Sequence, residues 1–527
     1  MTLGGRAGRA GRARRAGWPV LFLMGAALAP LAAQTERPAK RPPDRPTIDT
    51  IIIVNRNIFD TADAAPDWVA NLANGLHVRT RPWVIRRRLL LNPGDPFDSA
   101  RVEESERMLR TLGVFRFVHV DTIRSGPGDK LALRAVTSDG WSTEPRASYS
   151  SVGGDETWQF GFIERNFLGT ATEVALVYGK NPDRRRLDLG FINPHFLGRR
   201  TLLQTQYSHL SDGQLGEWLF GLPFHETAAP HSVITYGQVA DERVLSYRDD
   251  SLILTQWHRL LRAGLTGGVA LQPNSHSYRR LWGSWEWRRE DFADSGATPF
   301  PYSVFTTVRA GIDLGSVRFR VLEHFNSYAR REDVDLSPGI RLAAVIESGV
   351  GYEAHAQGSS VWTGGFAMVQ GDANGGLDST RTRAGVTVVS QNIDGHTLIL
   401  HAEGGLLTNP KPGREFDPWL EQRSPRLFGI HNFTGTRMTW FVLEDRILVA
   451  DNVLGLWAVG LAPFVDYGGA WYSNESPRQG GNAGMSLRFG PTRAVRGEAA
   501  ELAFGYRFGQ GVKGKSWGIT LRKGVSF

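Results

Sequence analysis

Ser516-Trp-Gly-Ile-Thr-Leu-Arg-Lys-Gly-Val-Ser-Phe527 closes the chain and decides how the rest of it reads. Side chains alternate along a strand, so Trp517, Ile519, Leu521, Val525 and Phe527 share one face. Ser516, Gly518, Thr520, Arg522, Gly524 and Ser526 share the other, which is polar or small. A soluble sheet that stops in mid-strand on a bare Phe leaves an unpaired edge. A closed barrel in a bacterial outer membrane does not, because its last strand pairs with its first. Lys523 interrupts the apolar face and has to snorkel or find a partner. The alternative at this point is a C-terminal edge strand in a soluble sheet.

Upstream segments repeat the pattern. Leu502, Phe504, Tyr506 and Phe508 oppose Glu501, Ala503, Gly505 and Arg507. Met485, Leu487 and Phe489 oppose Gly484, Ser486 and Arg488, and Trp158, Phe160 and Phe162 oppose Thr157, Gln159 and Gly161. One such segment is an ordinary half-buried strand. Many in succession, with Arg and Glu on the second face, fit a barrel that is apolar outside and wet inside. No long helical pattern occurs from about 141 onward. A spacing of roughly 24 residues per strand predicts about 16 strands, whereas a count of alternating windows is nearer to about 20. The excess lies between about 240 and 350, where the pattern is least regular.

Composition narrows the classes. The 527 residues include no Cys, so no disulfide framework, thiolate nucleophile or Cys-ligated metal is possible. Gly is abundant at 61 and 41% of residues are hydrophobic; no internal segment has the roughly 20 apolar residues of a membrane helix. The net charge of +8 is spread through alternating strands without clustered aromatics, which argues against nucleic acid.

The N-terminus reads as an export signal over 1–33. Arg6, Arg9, Arg12, Arg14 and Arg15 precede an apolar run from Trp18 to Ala33, with a cleavage site before Gln34. The alternative is an uncleaved anchor. Residues 34–47 are a charged, Pro-rich linker. Residues 48–140 then form a small α+β module. Ile51 to Val54 is a strand, Pro82 to Leu91 a helix with Pro near its start, and Asp98 or Ser99 caps a second helix to about Leu112. Gly113 stops that helix, and strands follow at Val114 to Ile123 and Lys130 to Val136. Residues 61–78 read as extra material. Phe97, Leu109, Leu112, Phe115 and Val118 are the expected core.

Together, module and barrel resemble the BamA or surface-antigen family of outer-membrane assembly proteins. Residues 83–120 resemble a POTRA domain through Gly94-Asp95-Pro96-Phe97, then Met108 to Phe115, then Val118 and Val120. The barrel adds Asn166-Phe-Leu-Gly169, Asn193-Pro-His-Phe-Leu-Gly198, Phe433-Thr-Gly435, Leu443 to Arg446 and Phe464-Val-Asp-Tyr-Gly468. The resemblance implies a periplasmic N-terminal domain and a role in assembling or translocating other proteins. The implied partners are outer-membrane lipid, unfolded clients and periplasmic accessory proteins. It also implies an Arg-Gly pair in a long loop that folds into the lumen and meets an acid at the position of Asp466. Here the aligned segment is Arg426-Leu-Phe-Gly-Ile430, so Gly429 fits and Phe428 stands where Arg is expected. Arg426, two residues earlier, is the candidate substitute. Arg496-Gly497 matches literally but falls two strands from the end, at a short turn.

Residues 509–514 spell a dinucleotide fingerprint by letters, yet they join two strands and open no helix. No catalytic constellation, metal set or cofactor site is expected, and the chain reads as a non-enzyme. The rival reading is a passive channel or receptor whose lumen is lined by Arg186, Arg488, Arg507 and Arg522. Those arginines are expected to pair with lumen acids such as Glu501 and Glu444.

Overall fold

The computed structural model describes residues 46–60, 65–125, 130–152, 155–198, 200–293, 302–329, 331–376, 379–410, 414–496, 498–512 and 514–523. The expected signal peptide, nearly all of the linker, and Val525 and Phe527 of the closing strand lie outside the described residues.

Twenty antiparallel strands close into one barrel, from Thr143–Val152 to Trp517–Lys523. Each pairs with the next in the chain, except that a small hairpin (Phe319–Leu322 with Glu332–Asp335) is inserted between Tyr302–Ser316 and Gly339–Ile346. The period-two pattern sets which face is bare. Phe160, Phe162, Phe504, Tyr506, Trp517 and Ile519 are exposed on the outside, while Glu501, Ala503, Arg507, Gly518 and Thr520 are buried on the inside. Trp158, Phe160 and Tyr178 on one side of the seam, and Phe504, Tyr506 and Trp517 on the other, form aromatic groups on the outer face. No helix among the described residues is long and apolar enough to cross a membrane.

The strand count corrects the figure of about 16 and agrees with the window count. The additional strands run through the region of weakest pattern, as His231–Arg248, Ser251–Ala270, Ser277–Ala293, Tyr302–Ser316 and Gly339–Ile346. Connections there are as short as Asp249-Asp250, both at positive φ, which suits a two-residue hairpin turn and leaves room for more strands.

Among the described residues the seam shows the shortest pairing in the barrel, the closing strand being described to Lys523. Among the described residues, Ile519, Thr520 and Leu521 pair with Ser151, Ser150 and Tyr149, whereas the first strand pairs with its other neighbour along its whole length, from Thr143 to Val152.

At one end of the barrel sits the α+β module. Its sheet runs β1 (Ile48–Arg56), β3 (Lys130–Asp139), β2 (Phe115–Ser125), with β1 parallel and β2 antiparallel to β3. Three helices lie between β1 and β2: α1 (Asp67–Leu76), α2 (Pro82–Arg88) and α3 (Ser99–Thr111). Asp98 caps α3 by accepting from the amides of Ala100 (2.9 Å) and Arg101 (3.4 Å), and Gly113 ends it at φ +65°. Leu109, Phe115 and Val118 are buried in the core, with Phe97 and Leu112 packed against it. Two expectations need correction. Residues 61–78 contain α1, and α2 stops at Arg88, three residues before Leu91. Ala171, from a barrel turn, completes the module's core.

Candidate functional site

The family-like motifs in the early strands form a joint. Leu168 and Gly169, and again Leu197 and Gly198, take positive φ in matching turns at the module end of the barrel. Asn166 donates to Thr80 Oγ1 (3.0 Å) and the Val78 carbonyl (3.3 Å), and Gly169 offers its carbonyl to the Arg81 amide (2.9 Å). A Cβ on Gly169 would lie 2.4 Å from the Arg79 carbonyl, so only glycine permits that approach. These residues hold the module onto the barrel.

At the opposite end, the described residues of the connection 409–436, between His396–Thr408 and Arg437–Val453, fold back inside. Its aromatic residues anchor it. Phe416, Phe428 and Phe433 cluster with Leu407, Met438 and Ala470 of the wall. Phe416 and Gly435 form an antiparallel bridge, and a Cβ on Gly435 would collide with the Trp471 backbone at 2.2 Å. Phe428 thus serves as an apolar anchor where the resemblance placed an arginine, and Gly429 is buried beside it.

That anchoring delivers Arg426 into an acidic socket. Arg426 Nε and Nη2 donate to Asp466 Oδ2 (2.7 Å) and Oδ1 (2.9 Å), in a two-pronged contact. Its Nη1 donates to Glu501 Oε1 (2.6 Å), and Nη2 lies 2.7 Å from Glu444 Oε2. The guanidinium carbon lies over the Phe464 ring, 3.9 Å from its centroid. Asp466 also accepts from the Arg426 amide (3.0 Å) and from Asn482 (2.8 Å), and Ser486 donates to Glu501 (2.7 Å). All four charged groups are buried. Burial of so many charges is tolerable only because each finds partners in a fixed geometry.

The socket continues toward the module. Glu444 Oε1 accepts from Arg446 Nε (2.5 Å), and Arg446 Nη1 donates to the Phe325 carbonyl (2.7 Å) and Asn326 (3.0 Å). Phe325 and Asn326 lie in the inserted hairpin's loop, whose Leu322, Phe325 and Leu336 pack against Phe366, Val389 and Ile399 of the wall. On the hairpin's other side, Asp333 takes two bonds from Arg110 of α3 (2.6 and 2.7 Å). A continuous chain of polar contacts therefore joins the far-end loop to the module. Sequence reading missed the hairpin. Its one signal was the irregular stretch before 350.

The other lumen arginines divide. Arg522 lies 3.6 Å from Glu501, as expected. Arg186 pairs with Asp188 of its own strand, Arg488 donates to the Phe325 carbonyl (3.3 Å), and Arg507 to the Lys515 carbonyl. Glu444 and Glu501 are instead held chiefly by Arg426 and Arg446. Arg496 sits at the joint, beside Gly113, with its amide on Glu144 (3.2 Å), remote from Asp466. No cluster of His, Cys, Asp or Glu suited to a metal occurs among the described residues.

The outer end of the loop is tied by a histidine. His431 bridges Asp417 (2.5 Å) in the loop and Asp183 (3.1 Å) in the turn between Thr172–Lys180 and Arg185–Phe196, and stacks on Tyr247 at 3.7 Å. Burial of the ring opposes its charge, but the two carboxylates outweigh burial and raise its pKa to about 9.

No protein-family model matches the chain. It is similar to a Treponema pallidum (strain Nichols) protein named outer membrane protein assembly factor, with 26% identity over 215 residues, 38% of this chain. The matched stretch spans 26% of that relative, about a quarter of its length. Among solved structures, CdiB from Escherichia coli aligns with 95% of this chain and 94% of its own, at 10% identity and a TM-score of 0.45. BamA from Haemophilus ducreyi lacking POTRA domains 1-3 covers 89% and 84%, at 12% identity and 0.35. The siderophore receptor PirA from Pseudomonas aeruginosa covers 88% and 98%, at 11% identity and the same score of 0.35.

Proposed function

We propose that this chain is an outer-membrane barrel that inserts or translocates other proteins, with residues 48–140 as a POTRA-like domain on the periplasmic side. The observation that carries the reading is the seat of Arg426 on Asp466, Glu501 and Glu444. It ties a loop from one mouth of the barrel to strands near the seam, which is the arrangement the resemblance implies. The seam, once parted, and the two sheet edges of the module, β1 and β2, supply unpaired main chain where an unfolded client can add a strand. Burial of client apolar surface supplies the free energy, so no nucleotide is required. The name of the Treponema relative supports the same direction. The inward loop and the inserted hairpin both occupy the lumen, which weighs against a passive channel.

The test is a lock on the seam. Tyr149 and Leu521 are paired across it, and the chain has no native Cys. Tyr149→Cys with Leu521→Cys should cross-link under oxidation and stop client insertion, with recovery on reduction. A locked barrel that inserts clients at the normal rate would overturn the seam mechanism.

A further inference from the structure

Helix α1 carries two apolar faces, and only one is covered. Val69, Ala70 and Ala73 pack with Ile58 and Phe59 of the module and with Trp141 and Leu456 of the barrel. Asn74 clamps the helix by exchanging two hydrogen bonds with the Phe59 backbone (3.0 and 3.1 Å). Trp68, Leu72 and Leu76 follow at i, i+4 and i+8 on an adjacent face, and they are 71%, 56% and 68% exposed. Three large apolar side chains in register on a fixed helix are not the scattered exposure found on any surface.

The position of α1 says what meets that face. Its covered side touches Leu456 in the turn before strand Trp457–Trp471, and the chain just after it, at Val78, meets Gly169 in the turn after strand Asp155–Phe167. Those turns flank the strands on both sides of the seam, so α1 runs beneath the seam. Leu454 and Leu168, at the tips of the same turns, are also exposed, so apolar side chains stand bare on both α1 and the turns above it. Immediately after α1, residues 77–94 hold five arginines and no acid. Arg79 and Arg81 are exposed and have no carboxylate partner among the described residues, whereas Arg87 and Arg88 turn into the contact between module and barrel, beside Gly198. An apolar stripe beside uncompensated arginines matches an anionic lipid surface, with acyl chains below phosphate headgroups.

We propose that α1 lies in the surface of the membrane leaflet on the module side, directly beneath the seam, with Trp68, Leu72 and Leu76 among the acyl chains and Arg79 and Arg81 on anionic headgroups. This rests on the reading that the barrel spans a bilayer. A helix wedged there disturbs lipid packing where a client strand would enter.

The absence of native Cys makes the test direct. Leu72→Cys, Val308→Cys on the barrel's outer face and Lys130→Cys at the far end of β3 are made singly in the full chain. Each is placed in nanodiscs of phosphatidylcholine with phosphatidylglycerol, and its rate with a water-soluble maleimide is measured. Leu72→Cys should react roughly tenfold more slowly than Lys130→Cys, close to Val308→Cys. Arg79→Gln with Arg81→Gln should restore much of its rate, and Arg79→Lys with Arg81→Lys should not. A fast Val308→Cys overturns the bilayer-spanning reading and the inference with it. A slow Val308→Cys beside a fast Leu72→Cys overturns the inference alone. So does protection of Leu72→Cys that appears only on adding an unfolded barrel client or a second copy of this chain. Protection that is unchanged in pure phosphatidylcholine and insensitive to the arginine substitutions contradicts the role given to the headgroups.

Discussion

Arg426 and Asp466, forty residues apart in sequence, meet inside the barrel through two parallel hydrogen bonds and a third from the Arg426 amide. The loop that brings them together is held by aromatic packing, and its charge is shared with Glu501 and Glu444. Both features make the pair sensitive to the loss of either member.

Arg426→Ala and Asp466→Ala should each destabilise the folded barrel by about 3–5 kcal/mol, because each strands buried charge. The double substitution should cost less than the sum, since the two act as a unit. Arg426→Lys should rescue only in part, as a point charge lacks the planar fork. Arg496→Ala should leave the socket intact. Heat-modifiable mobility of the barrel and urea unfolding read these effects. Additive losses, or a severe Arg496 defect beside a silent Arg426, would contradict the assignment.

His431 predicts a dependence on pH. Its folded pKa, about 9, is raised above the ordinary value near 6.5, so its contribution is fully present below about 6.5 and is lost as pH rises through about 9. Its partner Asp183 is shifted down, with burial opposing and the His431 and Tyr247 bonds prevailing, so that carboxylate's contribution is lost only as pH falls through its lowered value. Protease sensitivity of the 409–436 loop should therefore rise between neutral pH and about pH 10. His431→Gln should remove that rise. A loop equally protected in wild type across the range contradicts the bridge.

Leu109 is fully buried at the centre of the module. Leu109→Ala should cost about 2–5 kcal/mol in a fragment covering residues 46–139, read by urea unfolding. The fragment lacks Ala171, so it should also be less stable than the same sheet in the full chain. A change below about 0.5 kcal/mol would show that α3 faces elsewhere.

Arg110 and Asp333 couple the module to the inserted hairpin. Arg110→Ala should remove about 1.5–3 kcal/mol of that contact, because its bonds are charge-assisted. Hydrogen exchange should quicken in 319–335 and then around Arg446, while the far-end loop, held by its aromatic packing as well as by Arg426, stays protected. Exchange unchanged in the hairpin contradicts the link.

The barrel was legible because alternation is a local property. Phe504 and Tyr506 against Glu501 and Ala503 fix inside and outside without knowledge of any neighbour. Strand number was legible in the count of alternating windows, near 20, but not in the average spacing that gave about 16, because turn length varies and Asp249-Asp250 carries a connection in two residues. Helix α1 was illegible for a related reason. Asn71, Asn74 and Gly75 weaken its propensity, and its apolar residues are divided between a covered and a bare face, which blurs a single stripe. Arg426 could be singled out only through the loop's resemblance and its spacing from Gly429. The joint claim of Glu444 and Glu501 on it is a tertiary fact that no spacing encodes.

The central claim is that this barrel serves other proteins, and depletion followed by quantitative proteomics of the outer membrane tests it most directly. The account predicts that a set of other barrels falls in abundance together, and that wild type restores them while Arg426→Ala, expressed at the same level, does not. Unchanged levels of all other barrels, with the loss confined to uptake of one solute, would contradict it.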